Sequence, residues 1–175
     1  RKGKLNAGSS GNGTPPHLTM ALFNDLNKSV MVHVPYRGGA PSMTDLIGGQ
    51  LDVIFSNYPE SMAHVKSGKL RPIAFCAASR HPHMPEVPTA AESGMPGLVV
   101  DNWTAAMVQS GTPAGLVERY SREMIKTLYS PEVEERAKVL GFRPAPMGTE
   151  EFDSFLKSEV KRWSRIIESA KITAS

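Results

Sequence analysis

Tyr36-Arg37-Gly38-Gly39-Ala40-Pro41 stands between a short apolar run at residues 30–34 and a helix-like segment at 42–47. A strand that ends in paired glycines and passes directly into a helix leaves several backbone N–H groups unobstructed, and the helix adds the positive end of its dipole at the same place. Such a turn suits an anion. A counterpart lies upstream, where Leu5-Asn6-Ala7 leads into Gly8-Ser9-Ser10-Gly11-Asn12-Gly13-Thr14-Pro15-Pro16 and then an apolar helical pattern. One turn of this kind is an ordinary connection in α/β proteins. Two in one small domain predict a receptor for a small carboxylate.

Outward from these turns, short apolar runs alternate with helical patterns, the signature of an α/β sheet covered by crossover helices. Strands are expected near residues 4–7, 30–34, 53–56 and 70–77, with helices near 16–26, 42–48 and 59–67. In open sheets of this kind the ligand crevice lies outside the carboxyl ends of the strands, so the turns at 8–14, 36–40 and 56–58 are expected to converge. The segment 80–88 contains Pro82, Pro85 and Pro88 and reads as an ordered loop or strap. His81 and His83 inside it lack a nearby Cys, Asp or Glu, which favours a solvent-exposed loop over a metal site.

The run at 98–108 is long for one strand ending in a turn and reads as a strand crossing between two lobes. Beyond it the chain becomes helical. Thr112-Pro113 and Ser130-Pro131 are start signals, Gly141 is a stop, and Leu116, Val117, Tyr120, Met124, Ile125 and Leu128 repeat on one face. From Thr149 a long helix carries Phe152, Phe155, Leu156, Val160, Trp163, Ile166 and Ile167 on one stripe, which calls for a partner surface.

Composition sets bounds. The 175 residues are 40% hydrophobic and 21% charged, an ordinary globular composition, and the net charge of +3 comes from scattered basic residues. A nucleic-acid footprint would need a clustered basic stripe; the short cluster Arg1, Lys2 and Lys4 reads as a solvated end. No window approaches about 18 consecutive apolar residues. Cys76 is the single cysteine, set in Ile73-Ala74-Phe75-Cys76-Ala77, where it serves as a small buried hydrophobe.

Read together, Gly-Ser-Ser-Gly-Asn-Gly-Thr at 8–14 with His17, Val34-Pro35-Tyr36-Arg37-Gly38-Gly39, Gly48-Gly49-Gln50-Leu51-Asp52-Val53 and Val87-Pro88-Thr89-Ala90-Ala91-Glu92-Ser93-Gly94 resemble one family. They look like the solute-binding receptors of tripartite tricarboxylate transporters, the Bug family. The resemblance continues through Trp103, Ser110-Gly111-Thr112-Pro113, Pro131-Glu132-Val133 and Trp163, nearly the whole chain. It implies a type II periplasmic-binding-protein-like fold. It also implies that this chain is a C-terminal fragment holding one complete lobe plus the C-terminal part of the other. The expected division is a ligand-binding lobe over 1–100 and a helical portion of the first lobe over 101–175. A fragment with uncovered apolar stripes is expected to self-associate. Periplasmic location and membrane transporter subunits as partners follow from the resemblance alone.

A carboxylate entering the crevice must exchange water for directed donors. Ser9, Ser10 and Thr14 offer hydroxyls, and Gly11, Gly13, Gly38, Gly39 and Ala40 offer backbone N–H groups; Asn12, Tyr36, Ser56 and Asn57 complete the candidate site. Pro41 presets the helical backbone in the first turn. Arg37 is the evident ionic partner, yet recognition in the family resembles backbone capture, so it stays outside the set. His17 is expected to anchor the loop to its helix and His33 to be a strand-pairing residue. Trp103 either lines the cleft or fills the hinge core. Many relatives resemble Asp-Asn where this chain has Ser56-Asn57. A ligand ammonium would lose that partner, so a dicarboxylate, hydroxy acid or aromatic carboxylate is expected in preference to an amino acid. These residues require neither metal nor cofactor. The competing readings are a hydrolase on the same scaffold, which lacks a Gly-x-Ser-x-Gly elbow and an obvious base for Ser9 or Ser10, and the small-ligand effector domain of a regulator.

Overall fold

The structure, a computed structural model, describes residues 5–173. The basic opening Arg1, Lys2 and Lys4, and with Lys4 the start of the first expected strand, lie outside that range. Three parallel strands form a sheet in the order β2-β1-β3, with β1 (Asn6–Ser9) between β2 (Val32–Pro35) and β3 (Val53–Ile54). The register pairs Ala7 with His33 and with Val53, and Ser9 with Pro35. Helices α1 (Pro15–Asn27) and α2 (Gly39–Ile47) are the crossovers, and α3 (Tyr58–Lys66) follows β3.

Side chains alternate across a strand, and β1 uses this to place one helix on each face. Ala7, fully buried, packs with Met20 of α1 and Met31. Its neighbour Gly8 faces the other way: a Cβ there would come within 2.5 Å of Leu51 Cδ1, so glycine leaves room for the Leu51 side chain against the strand, on the face where Ser42 of α2 also lies. Helix α1 starts after an extended Thr14 (φ −74°, ψ 158°), with prolines at its first two positions, and stops at Lys28 in the left-handed region. Its opposite side, Ala21 and Leu22, joins Ala90, Leu98 and Ile166 in a second cluster, against which Cys76 and Trp163 pack.

Three expectations change. Helix α2 begins at Gly39, before Pro41, so Gly39 and Ala40 are its first residues. Residues 70–77 are not a strand; Phe75 makes an isolated parallel bridge to Thr89. Residues 98–108 are likewise irregular, with Val100 N–H donating to Cys76 O at 2.8 Å. Pro88 has no N–H to donate to Ile73 O, which stops the ladder from extending back toward the start of that run.

Packing divides the chain into two compact units, Arg1–Asn102 with Trp163–Ser175, and Trp103–Arg162. The sequence predicts a single portion over 101–175. The difference arises in α6 (Thr149–Ser169), whose stripe meets two partners. Phe152 and Phe155 meet Trp103 edge-on, at 5.9 and 5.4 Å between ring centroids. Ile166 and Trp163 instead join the α1 cluster. Trp103 Nε1–H donates to Glu159 Oε2 at 3.4 Å, so its indole is held by α6. The second unit also contains α4 (Ala114–Leu128) and α5 (Pro131–Leu140), which ends at Gly141 with φ 75°. Neither helix has a buried residue, and Leu116, Tyr120 and Met124 are exposed along one face of α4.

Candidate functional site

Two backbone hydrogen bonds lace the Gly-rich turns together beyond the end of the sheet. Tyr36 N–H donates to Ser9 O and Gly38 N–H to Ser10 O, each at 3.1 Å. The parallel pairing of β1 and β2 ends with Ser9 opposite Pro35, so both turns leave the sheet at the same level. The convergence expected of residues 8–14 and 36–40 is therefore present.

Within the first turn most polar groups are already committed. Ser9, 1% exposed, has its Oγ 2.7 Å from His33 Nε2 and 3.1 Å from Gly11 O, and accepts from Gly11 N–H at 3.2 Å. Thr14 Oγ1 donates to Gly11 O at 2.7 Å, and Gly13 N–H donates to His17 Nδ1 at 3.1 Å. Gly11 and Gly13 adopt φ of 135° and 70°, which makes glycine the fitting residue at both. The expectation that Gly11, Gly13 and Gly38 supply N–H groups to a ligand is corrected: those amides serve Ser9, His17 and Ser10. Ser9 and Thr14 hydroxyls likewise shape the loop. Ser10 and the exposed Asn12 remain at its surface.

The second turn differs. Gly39 and Ala40 open α2, and first-turn amides precede any intrahelical acceptor. They lie at the positive end of the helix dipole. Gly38, with φ 105°, turns the chain into the helix. Tyr36 O–H donates to Asp45 Oδ2 at 2.7 Å, which fixes that ring along α2 and raises the phenol's pKa.

Sequence reasoning missed Glu60. A Cβ built on Gly39 would meet Glu60 Oε2, so this carboxylate rests against the start of α2. Asn57 holds it there: Asn57 Nδ2 donates to Glu60 Oε1 at 2.8 Å, while Asn57 Oδ1 accepts from Asn102 Nδ2 at 3.1 Å. The third turn is thereby joined to the second. Ser56 is exposed, and the negative charge it lacks is present one helical turn later. An acidic residue in the first turn of α3, three after Asn57, was the available signal.

The remaining candidates are structural. Thr89 and Glu92 cap one another, Thr89 N–H to Glu92 Oε2 at 2.7 Å and Glu92 N–H to Thr89 Oγ1 at 3.1 Å. Arg80 Nε reaches both Glu92 oxygens and its Nη1 donates to Pro85 O, tying the strap at 80–88 and holding the Glu92 carboxyl down to about 2. His81 packs on Tyr58 at 3.9 Å between centroids. Burial pushes the Cys76 thiol up to about 11, so it carries no thiolate at neutral pH. An open groove of about 500 Å³ bounded by Val65, Leu70, Arg71 and Val87 shares no lining residue with the turns.

The fold is that of periplasmic solute-binding proteins. R. palustris Rpa4515 with adipate matches at a TM-score of 0.87 and 28% identity, covering 99% of this chain and 58% of that one. MatC of Rhodopseudomonas palustris with bound malate matches at 0.80 and 28%, covering 94% and 57%. Residues 1–172 match the family described as tripartite tricarboxylate transporter family receptor, and the chain belongs to that family. A Pseudomonas sp. (strain P51) protein from the tcbD-tcbE intergenic region is 35% identical over 174 residues, 99% of this chain and 52% of its own length. BugT of Bordetella pertussis is 31% identical over 155 residues, 89% of this chain and 48% of its own. The chain thus spans about half the length of these curated relatives.

Proposed function

We propose that this chain carries the ligand-capturing turns of a periplasmic solute-binding receptor that delivers a small organic carboxylate to a tripartite tricarboxylate-type transporter. The observation that carries the reading is the laced pair of turns, which sets the uncommitted first-turn amides of Gly39 and Ala40 next to the loop that carries half-buried Ser10 and exposed Asn12. Adipate and malate on two structural neighbours support a carboxylate as the ligand class. The site of this reading comprises Ser10, Asn12, Gly39, Ala40 and Asn57 facing the ligand. Ser9, Gly11, Gly13, Thr14, Tyr36 and Gly38 hold the shape, and Ser56 borders it.

The hydrolase alternative gains one feature, because His33 is a base within reach of Ser9. Its weakness is access: Ser9 is buried and its hydroxyl is shared between His33 and Gly11. Calorimetry with adipate, malate, succinate and aspartate, followed by analysis of the same samples for products, separates the two. Binding without turnover is expected; product formation would replace the receptor reading.

The apolar face of α4, together with Val139, Leu140, Phe142 and Val160, is exposed to water, and exposed apolar surface favours association. We expect the 175-residue chain to self-associate at micromolar concentration. Light scattering checks this, and a monodisperse species at 19.0 kDa would contradict it.

A further inference from the structure

His17 and His33 stack face to face, with ring centroids 3.7 Å apart and planes 17° from parallel, directly beneath the Gly-rich loop after β1. They come from different elements. His17 lies in the first turn of α1, and His33 on β2 pairs with Ala7 and so projects to the α1 face that Ala7 and Ser9 share. Each ring grips the loop at a different point. Gly13 N–H donates to His17 Nδ1, which requires that nitrogen to be unprotonated and puts the neutral ring's proton on Nε2. His33 Nε2 meets the Ser9 hydroxyl, and Ser9 Oγ in turn holds Gly11 N–H.

We propose that His17, stacked on His33, positions the ligand-capturing loop only while the His17 imidazole is neutral, so that acidification loosens the loop and releases the bound carboxylate. This rests on the carboxylate reading above. Protonating His17 Nδ1 sets an N–H against the Gly13 N–H, and the contact at Gly13 is lost. Protonating His33 preserves its bond to Ser9, since the hydroxyl can turn its own proton to Gly11 O, but places a cation against the His17 ring. Protonation of both sets two cations face to face.

The surrounding charges do not oppose this. Residues 6–14 contain no ionisable side chain. On α1, Asp25 lies at the far end beside Lys28. Arg37 follows β2 and is exposed, Asp45 on α2 is bonded to Tyr36, Glu60 on α3 is bonded to Asn57 and rests against the start of α2, and Asp52 accepts from Asn6 N–H at the opposite end of β1. The charge that acts on His33 is that of His17. Burial lowers His17 below 6.5, and burial followed by the His17 charge lowers His33 to about 4. Groups lowered on folding contribute stability above the unfolded value and lose it as pH falls. The loop is therefore held above 6.5 and released progressively toward 4.

The test is an amide NMR titration of the 175-residue chain from about pH 7.5 to about pH 5, spanning the histidine range, with malate affinity measured at each pH. His17→Asn is the companion variant, since its Oδ1 can replace Nδ1 as an acceptor that does not titrate. The Gly13 amide is expected to move with the same midpoint as the His17 ring. Across that midpoint, wild-type affinity is expected to fall about tenfold further than that of His17→Asn, roughly 1.4 kcal/mol. Malate's own protonation is common to both chains and cancels. A Gly13 amide unmoved by His17 titration, or a His17→Asn variant that loses affinity as steeply as wild type, would overturn the proposal. The Gly13 reading needs no variant to fold. Failure of malate, adipate and succinate to bind at the highest pH would instead defeat the carboxylate reading, while the Gly13 response still decides the role of the pair.

Discussion

Gly39→Val is expected to weaken carboxylate binding about tenfold or more, equivalent to about 1.4 kcal/mol, with little change in thermal stability. Gly39 is the first residue of α2, so its amide and that of Ala40 have no intrahelical acceptor. An added side chain meets the Glu60 carboxylate on one side and narrows the approach to those amides on the other. Glu60 is exposed and can swing aside, so the fold survives while the anion's path closes. Calorimetry with adipate reads the affinity and a melting curve reads the fold. Unchanged affinity would remove this turn from the site.

Glu60→Gln is expected to act in the opposite direction. The Glu60 carboxylate, held by Asn57, stands beside the amides assigned to a ligand carboxylate. Two like charges in near contact repel, and exposure to water reduces but does not abolish the effect. Removing the charge should strengthen succinate binding about fivefold to tenfold, near 1 kcal/mol. Aspartate should gain less or lose, because its ammonium loses a carboxylate partner. A competition between aspartate and succinate measures the ratio directly; a ratio equal in both proteins would mean that Glu60 does not face the ligand. This revises what Ser56 suggested. The neutral residue at 56 does not leave the region without an acid, so preference against amino diacids does not follow from it.

The sheet and the two turns were legible because they rest on local chemistry. Glycine and proline punctuate the chain at 8–16 and 38–41, and the apolar runs between them are too short for anything but strands. What escaped the sequence depends on pairing across distance. His33 meets Ser9 only because parallel register sets Ser9 opposite Pro35, so that the residue two places back points to the same face. Gly11 and Gly13 looked like free donors because a sequence shows which amides are unobstructed, not which already have acceptors. The stripe on α6 is expected from the sequence to lie uncovered, yet its two ends meet different partners within the chain, which a single helical period does not reveal. The runs at 70–77 and 98–108 have strand composition and lack a ladder among the described residues, since composition prefers a strand only where a neighbour supplies the hydrogen bonds.

The central claim is that a carboxylate is held by the amides opening α2 together with the laced loop after β1. The most direct measurement is an amide NMR titration of the chain with adipate at neutral pH. Saturable shifts are expected at Gly39, Ala40, Ser10 and Asn12, with smaller ones at Gly13 and Asn57. Saturable shifts confined to the groove at Val65, Leu70 and Val87, or none at any of the four, would contradict the account.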